Sequence, residues 1–132
     1  MTGHRILLPE GWPRPKGYAH GIAAKGTTIF LGGQIGWDEK GIFASGFVGQ
    51  VRQALKNIAR LLADAGTTPE TVVRLNWFVT DLAAYNGNLK DIGKAYREVF
   101  GTHYPAMTLV AVAGLVEPDA MVEIEATAVI PD

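Results

Sequence analysis

Two glutamates, Glu123 and Glu125, stand two residues apart in a segment that alternates between apolar and acidic side chains. This alternation predicts a β-strand that carries both carboxylates on one face, roughly 6–7 Å apart. A carboxylate in a ligand cleft can accept a proton from water and return it to a leaving group. A solvated edge strand gives the same pattern, and the pattern alone favours that simpler interpretation.

Tyr18 and His20 lie where the chain enters its first predicted strands. They could place a hydroxyl and an imidazole at the mouth of a cleft. The simpler interpretation is packing for Tyr18 and a surface position for His20. His103 follows the second predicted helix, and we favour a role in complementing the C-terminal end of that helix.

Arg74 and Asn76 share one face of a predicted central strand. A buried arginine needs a carboxylate partner. If Glu123 or Glu125 supplied it, the pair would be structural. An unpaired Arg74 would instead be available as a polar contact for a ligand.

The composition excludes several other chemistries. The chain of 132 residues has no cysteine, so it has neither disulfides nor thiolate nucleophiles. Its three histidines lack the close helical spacing of a zinc-protease motif, and we expect no metal and no cofactor. A net charge of −1 without a basic run argues against nucleic acid as a partner.

No segment approaches the ~20 apolar residues of a membrane span, and the first apolar run is too short for a signal peptide. We therefore expect a cytoplasmic protein without a membrane partner. The glycines between Gly32 and Gly36 do not match a dinucleotide fingerprint, because neither their spacing nor their context fits.

Two amphipathic helices are predicted. The first is marked by apolar residues at three- and four-residue spacings from Phe47 to Ala65, and Gly66 supplies a C-terminal cap. The second runs from about Ala84 to Phe100, although Gly87 and Gly93 weaken this prediction.

The remaining patterned segments predict strands, the first two joined as a hairpin by Lys25-Gly26. Strands alternating with helices indicate a mixed sheet in a single domain over residues 1–132. The predicted strands are Ala19–Ala24, Thr27–Leu31, Val72–Thr80, Ala106–Val112 and Ala120–Ile130.

The segment from Ala106 to Val112 is apolar almost without alternation, which is typical of a strand that is buried on both faces. Two helices can cover only one face of the sheet. We therefore expect another subunit to cover the second face.

Segments along the whole chain resemble the Rid/YjgF family of enamine and imine deaminases, also known under the label endoribonuclease L-PSP. The last matching segment runs from Val122 to Ala128, and its Glu123-Ile124-Glu125-Ala126 part is the most specific match. The other matching segments are Gly17-Tyr18, Gly33-Gln34-Ile35, Gln50–Ile58, Trp77–Leu82, Tyr96 and Pro105-Ala106.

This resemblance implies a chorismate-mutase-like α/β (α+β) fold, with a mixed six-stranded sheet and two helices on one face. It also implies a homotrimer with small-molecule clefts between subunits. Carried over by position, Glu123 would position the attacking water, and Tyr18 and the backbone of Gly33 would help to hold the ligand.

The sequence departs from the family pattern where active members carry an arginine that binds a substrate carboxylate. Here Pro105-Ala106 is followed by Met107, and Leu109 replaces a usual cysteine. A thioether cannot grip a carboxylate as a guanidinium does. Two hypotheses follow, an imine deaminase with a different substrate and a non-catalytic trimer that binds a more apolar metabolite. In either case Met107, Leu109, His20 and Arg74 are candidate ligand contacts.

Overall fold

The computed structural model describes residues 2–132, which form six strands, three α-helices and one short 3₁₀ turn. The predicted α+β class with a mixed sheet is confirmed. In chain order the elements are β1 (Arg5–Leu7), β2 (Gly21–Ala23), β3 (Gly26–Ile35), α1 (Gly46–Asp64), the 3₁₀ turn Pro69–Thr71, β4 (Val72–Val79), α2 (Leu82–Asn86), α3 (Leu89–Phe100), β5 (Ala106–Ala111) and β6 (Val122–Pro131).

The six strands do not form the single six-stranded sheet that we expected. Four make a mixed sheet in the order β3-β6-β4-β5, in which only β4 and β5 are parallel. The other two, β1 and β2, form a separate antiparallel pair with Arg5 opposite Ala23. The predicted hairpin between β2 and β3 is therefore wrong, because β2 pairs with the N-terminal strand and β3 pairs with β6.

Helix α1 follows the predicted stripe closely. Val51, Leu55 and Ile58 are fully buried and lie on the side that packs against the sheet and α3. Gly66 has a positive φ of 83° after the last turn, and its N–H donates to the carbonyl of Ala63. This is the left-handed cap that the sequence predicted.

The second predicted helix is broken into α2 and α3. Asp81 starts α2 by accepting hydrogen bonds from the N–H groups of Ala83 and Ala84. The helix ends at Gly87, and the Asn88 side chain donates to the carbonyl of Ala84 at 2.7 Å. A glycine followed by an asparagine that bonds to the backbone favours a break over continuation.

The four-stranded sheet has one covered and one open face. On β4 and β6 every second side chain is buried against α1 and α3, including Leu75, Trp77 and Ile124. The intervening side chains point to the opposite face, which no element of residues 2–132 covers; there Phe30 is 80% exposed. One chain therefore leaves the second face open, and its cover by another subunit stays a prediction.

Candidate functional site

Glu123 lies on the open face of the sheet, near the end of β3. It is half-buried, and it stands opposite Ile35 on β3 and Phe78 on β4. Within residues 2–132 its carboxylate has no hydrogen-bond or ion-pair partner. It is therefore free to bind a water molecule or a ligand.

Gly33 provides the space for this carboxylate. The pairing of β3 with β6 is irregular between Leu31 and Gln34, so Gly32 and Gly33 form a bulge. A Cβ atom added at Gly33 would overlap the carboxyl group of Glu123. The structure thus brings together two of the residues predicted for the site, although 90 positions separate them in the sequence.

Arg74 and Glu125 share this open face but do not pair with each other. Arg74 is exposed, and no carboxylate in residues 2–132 lies within ion-pair distance of it. Glu125 instead accepts a hydrogen bond of 3.0 Å from Nδ2 of Asn76. The structural pair of Arg74 with a glutamate is not formed, so the arginine is available for other contacts.

Tyr18 and His20 lie elsewhere in the chain. Ala19 bridges to Ala106 on the outer edge of β5, three strands from Glu123. Neighbouring strands lie about 4.8 Å apart, and a strand rises about 3.3 Å per residue. The distance between Tyr18 and Glu123 is therefore roughly 15–20 Å. One chain therefore does not bring these two predicted site residues together.

The rings of Tyr18 and His20 contact each other edge to face, with centroids 5.4 Å apart, and they line a cavity of about 250 Å³ with Arg14 and Tyr104. His103 lines the same cavity, and its Nε2 is 2.7 Å from the carbonyl of Val72. Because a carbonyl only accepts, Nε2 carries a proton. The expected contact with the helix end is replaced by this bond to β4.

Met107 and Leu109 lie on the covered face of the sheet, in register with Leu75 and Trp77. Glu123 lies on the opposite face. A single chain therefore cannot place Met107 and Glu123 in one cleft. They can meet only where two copies of the chain adjoin.

Met107 also lines a cavity of about 320 Å³ that the sequence did not predict. Its walls combine residues from the segment before β2, from β4 and β5, and from α2 and α3. Because these segments are far apart in the sequence, no spacing pattern marks them. They include Lys16, Trp77, Tyr85, Tyr96, Arg97 and Tyr104.

Two further features of residues 2–132 bear on the chemistry. No three or more histidine, aspartate and glutamate side chains come close enough together to hold a metal ion. None of the helices is sufficiently long and apolar to span a membrane.

Comparison with known proteins gives consistent results. The family model described as Endoribonuclease L-PSP matches residues 13–130. The 3-aminoacrylate deaminase RutC of Acinetobacter baylyi is 31% identical over 93% of this chain and 95% of that protein. The human 2-iminobutanoate/2-iminopropanoate deaminase is 31% identical over 77% of this chain and 72% of that protein.

Among solved structures, a Rid family protein of unknown function from Yersinia pestis, YyfB, matches with a TM-score of 0.85 and 31% identity. The match covers 98% of this chain and 99% of that one. The sequence match, the relatives and the shared fold lead to one conclusion. The chain belongs to the endoribonuclease L-PSP family, also called the Rid family.

Proposed function

We propose that this protein is an enamine or imine deaminase that hydrolyses a small metabolite in a cleft between the subunits of a homotrimer. The observation that carries the proposal is the Glu123 carboxylate, which lies against Gly33 and has no partner among residues 2–132. The names of the relatives from Acinetobacter baylyi and human support the same reaction class.

In this reaction Glu123 would orient a water molecule and take one of its protons. The water oxygen then bonds to the imine carbon, and the C=N π electrons move to nitrogen to give a carbinolamine. Glu123 returns this proton to nitrogen, which gives the neutral carbinolamine. It then takes the proton of the carbinolamine hydroxyl and passes it to nitrogen, so that the C=O bond forms as the C–N bond breaks and nitrogen leaves with the electron pair of that bond. Imine and water thus become a carbonyl compound and ammonia.

The homotrimer is supported by the open sheet face. Its exposed apolar side chains include Phe30 and Val110, and Phe78 lies half-buried beside them. Apolar side chains concentrated on one face of a sheet are typical of an interface. A shared cleft would also let Met107 and Glu123, which lie on opposite faces, act on one ligand.

The decisive experiment is an imine-hydrolysis assay on a panel of 2-imino acids generated in situ, comparing wild type with Glu123→Ala and Glu125→Gln. We expect ammonia release that is lost in Glu123→Ala and largely kept in Glu125→Gln, since Glu125 is held by Asn76. Turnover that survives in Glu123→Ala would refute the role of Glu123.

The alternative is a non-catalytic trimer that binds a metabolite. It is favoured by Met107, because the resemblance places a carboxylate-binding arginine at this position in active members. Absence of turnover on the whole panel, together with saturable binding of one of the product 2-oxo acids, would support this alternative.

Ribonuclease activity, which the family description names, is the less favoured function. The net charge is −1, and on the open face Arg74 is accompanied by Glu123 and Glu125. RNA binding depends on basic patches that neutralise phosphates. We expect no cleavage when the protein is incubated with single-stranded RNA.

A further inference from the structure

The cavity of about 320 Å³ beside Met107 has the size of a small-molecule site. It opens between α2 and α3 on one side and the ends of β4 and β5 on the other. Its residues belong to the covered side of the sheet, away from Glu123.

Four aromatic side chains line the cavity, and they contact one another in two pairs. Tyr96 stacks on Tyr104 with ring centroids 5.3 Å apart and an interplanar angle of 11°. The Tyr96 hydroxyl donates to the carbonyl of His103. Tyr85 meets the edge of Trp77, whose Nε1 is buried and lacks a hydrogen-bond partner within residues 2–132. Such walls favour a ligand with an aromatic or bulky apolar group.

The charged residues of the cavity are Lys16 and Arg97, and no acidic side chain lines it. Arg97 makes no ion pair with any carboxylate of residues 2–132, whereas the next residue of α3, Glu98, pairs with Arg52. The cavity therefore presents positive charge without an internal counterion. A ligand with a negative charge would supply one.

Gly93 sets the position of the arginine. It precedes Arg97 by one helical turn, and a Cβ atom at position 93 would lie 3.2 Å from Nη1 of Arg97. Arg97 is exposed, and its guanidinium lies beside the bare backbone of Gly93. A side chain at position 93 would crowd the guanidinium at the cavity that both residues line.

We infer that this cavity binds a small carboxylate with an aromatic or bulky apolar side chain, and that Arg97 is the residue that binds the carboxylate. The inference rests on the proposed function for the reacting group, which makes the ligand a 2-imino acid and its product the matching 2-oxo acid. Because Glu123 of the same chain lies on the opposite face of the sheet, a neighbouring copy of the chain in the proposed trimer would supply the Glu123 carboxylate. Met107 would contact the apolar part of this ligand. The ionic contact that the resemblance places at position 107 on β5 would be made here by Arg97 on α3.

The test is isothermal titration calorimetry with three probes: phenylpyruvate, pyruvate and phenylacetone. Pyruvate lacks the bulky group, and phenylacetone lacks the carboxylate. We expect phenylpyruvate to bind tightest, each of the others being at least about tenfold weaker. Arg97→Gln should weaken phenylpyruvate roughly ten- to hundredfold, which is the size of one charge-assisted contact.

Matched variants separate this effect from misfolding. Arg60→Gln removes an exposed helical arginine that lines none of this cavity, and it should leave the Kd unchanged. Arg97→Lys keeps the charge but loses the planar fork, so an intermediate Kd is expected. Thermal unfolding of each variant reports whether the fold is retained.

The outcomes also separate this inference from the proposed function. Equal Kd values for pyruvate and phenylpyruvate, or an unchanged Kd in a folded Arg97→Gln protein, would overturn the inference even if imine hydrolysis is found. Selective binding that depends on Arg97 without any imine hydrolysis would uphold the ligand class and refute the deaminase.

Discussion

The backbone of Gly33 lies directly against the carboxylate of Glu123, so that no side chain fits between them. The contact joins a bulge in β3 to an alternating position of β6. Gly33 therefore does more than permit a turn, because its missing Cβ decides where the carboxylate can lie.

Gly33→Ala should displace Glu123 and lower kcat/KM for imine hydrolysis by roughly a hundredfold, the effect of misplacing a catalytic group by about 1 Å. Neither Gly33 nor Gly32 has a positive φ, so alanine brings no backbone strain at either position. Gly32→Ala is the control, since a Cβ there would meet nothing within 4 Å. Equal activity of the two variants would contradict this prediction.

Met107→Arg should change the preference for substrate. A guanidinium at this position would add a carboxylate contact and fill part of the cavity. We expect a gain in hydrolysis of 2-iminopropanoate and a loss of phenylpyruvate binding. Steady-state kinetics and calorimetry on the same preparation measure both. A folded trimer that gains no 2-iminopropanoate hydrolysis would mean that more than the arginine distinguishes this chain.

Gly93→Ala should change stability and binding in opposite directions. Alanine is favoured over glycine within a helix by about 1 kcal/mol, so the free energy of unfolding should rise. The new methyl group would displace the Arg97 guanidinium, and the Kd for phenylpyruvate should increase. Denaturant unfolding and calorimetry give the two quantities. A higher stability with an unchanged Kd would show that Gly93 does not position Arg97.

Phe30→Lys should dissociate the proposed trimer. Phe30 is 80% exposed on the open sheet face, opposite Thr127 of β6. A charge there would be desolvated at an interface. Light scattering should shift from three times the 14.2 kDa chain mass to the mass of one chain. Val116→Lys is the control, because Val116 is 94% exposed but lies outside the sheet. A wild-type mass of one chain would refute the trimer itself.

Alkaline conditions should destabilise the fold through Tyr96. Burial, with a smaller effect from Tyr104, raises the pKa of Tyr96 above its ordinary value of 10.0. Between these two pKa values the unfolded chain has lost the phenolic proton and the folded chain has kept it. Stability from this group is therefore full below pH 10 and falls as the pH rises beyond it.

The measurement is the denaturant midpoint at several pH values from 8 upward. Tyr96→Phe should have a shallower alkaline decline than wild type. It should also be less stable at pH 8 by about 1 kcal/mol, because the hydrogen bond to the His103 carbonyl is lost. Parallel alkaline declines in the two proteins would contradict the assignment to Tyr96.

The sequence predicted those elements whose patterns are local. The stripe of α1 and the alternation of β6 both depend on neighbours a few residues apart, and both are present. The hairpin predicted at Lys25-Gly26 is wrong, because the partner of each strand depends on residues far away in the sequence. A good turn sequence does not decide which strand β3 joins.

In the candidate site, too, the sequence marks individual residues but not the long-range contacts between them. The resemblance marked Gly33 and Glu123 individually, yet their contact follows from the β3–β6 register and not from any spacing. The cavity was missed because Lys16, Tyr85 and Arg97 come from three separate segments. In the sequence Arg97 is an ordinary helical arginine, and only the fold places it beside Gly93 at the cavity.

The environment of Trp77 has a practical consequence. Of the three tryptophans, Trp77 is only 2% exposed and lines the cavity, whereas Trp12 is 55% exposed. An indole in a dry, apolar surrounding fluoresces at shorter wavelength than one in water. The short-wavelength edge of the tryptophan emission therefore comes mainly from Trp77. A ligand that enters the cavity should change this part of the spectrum.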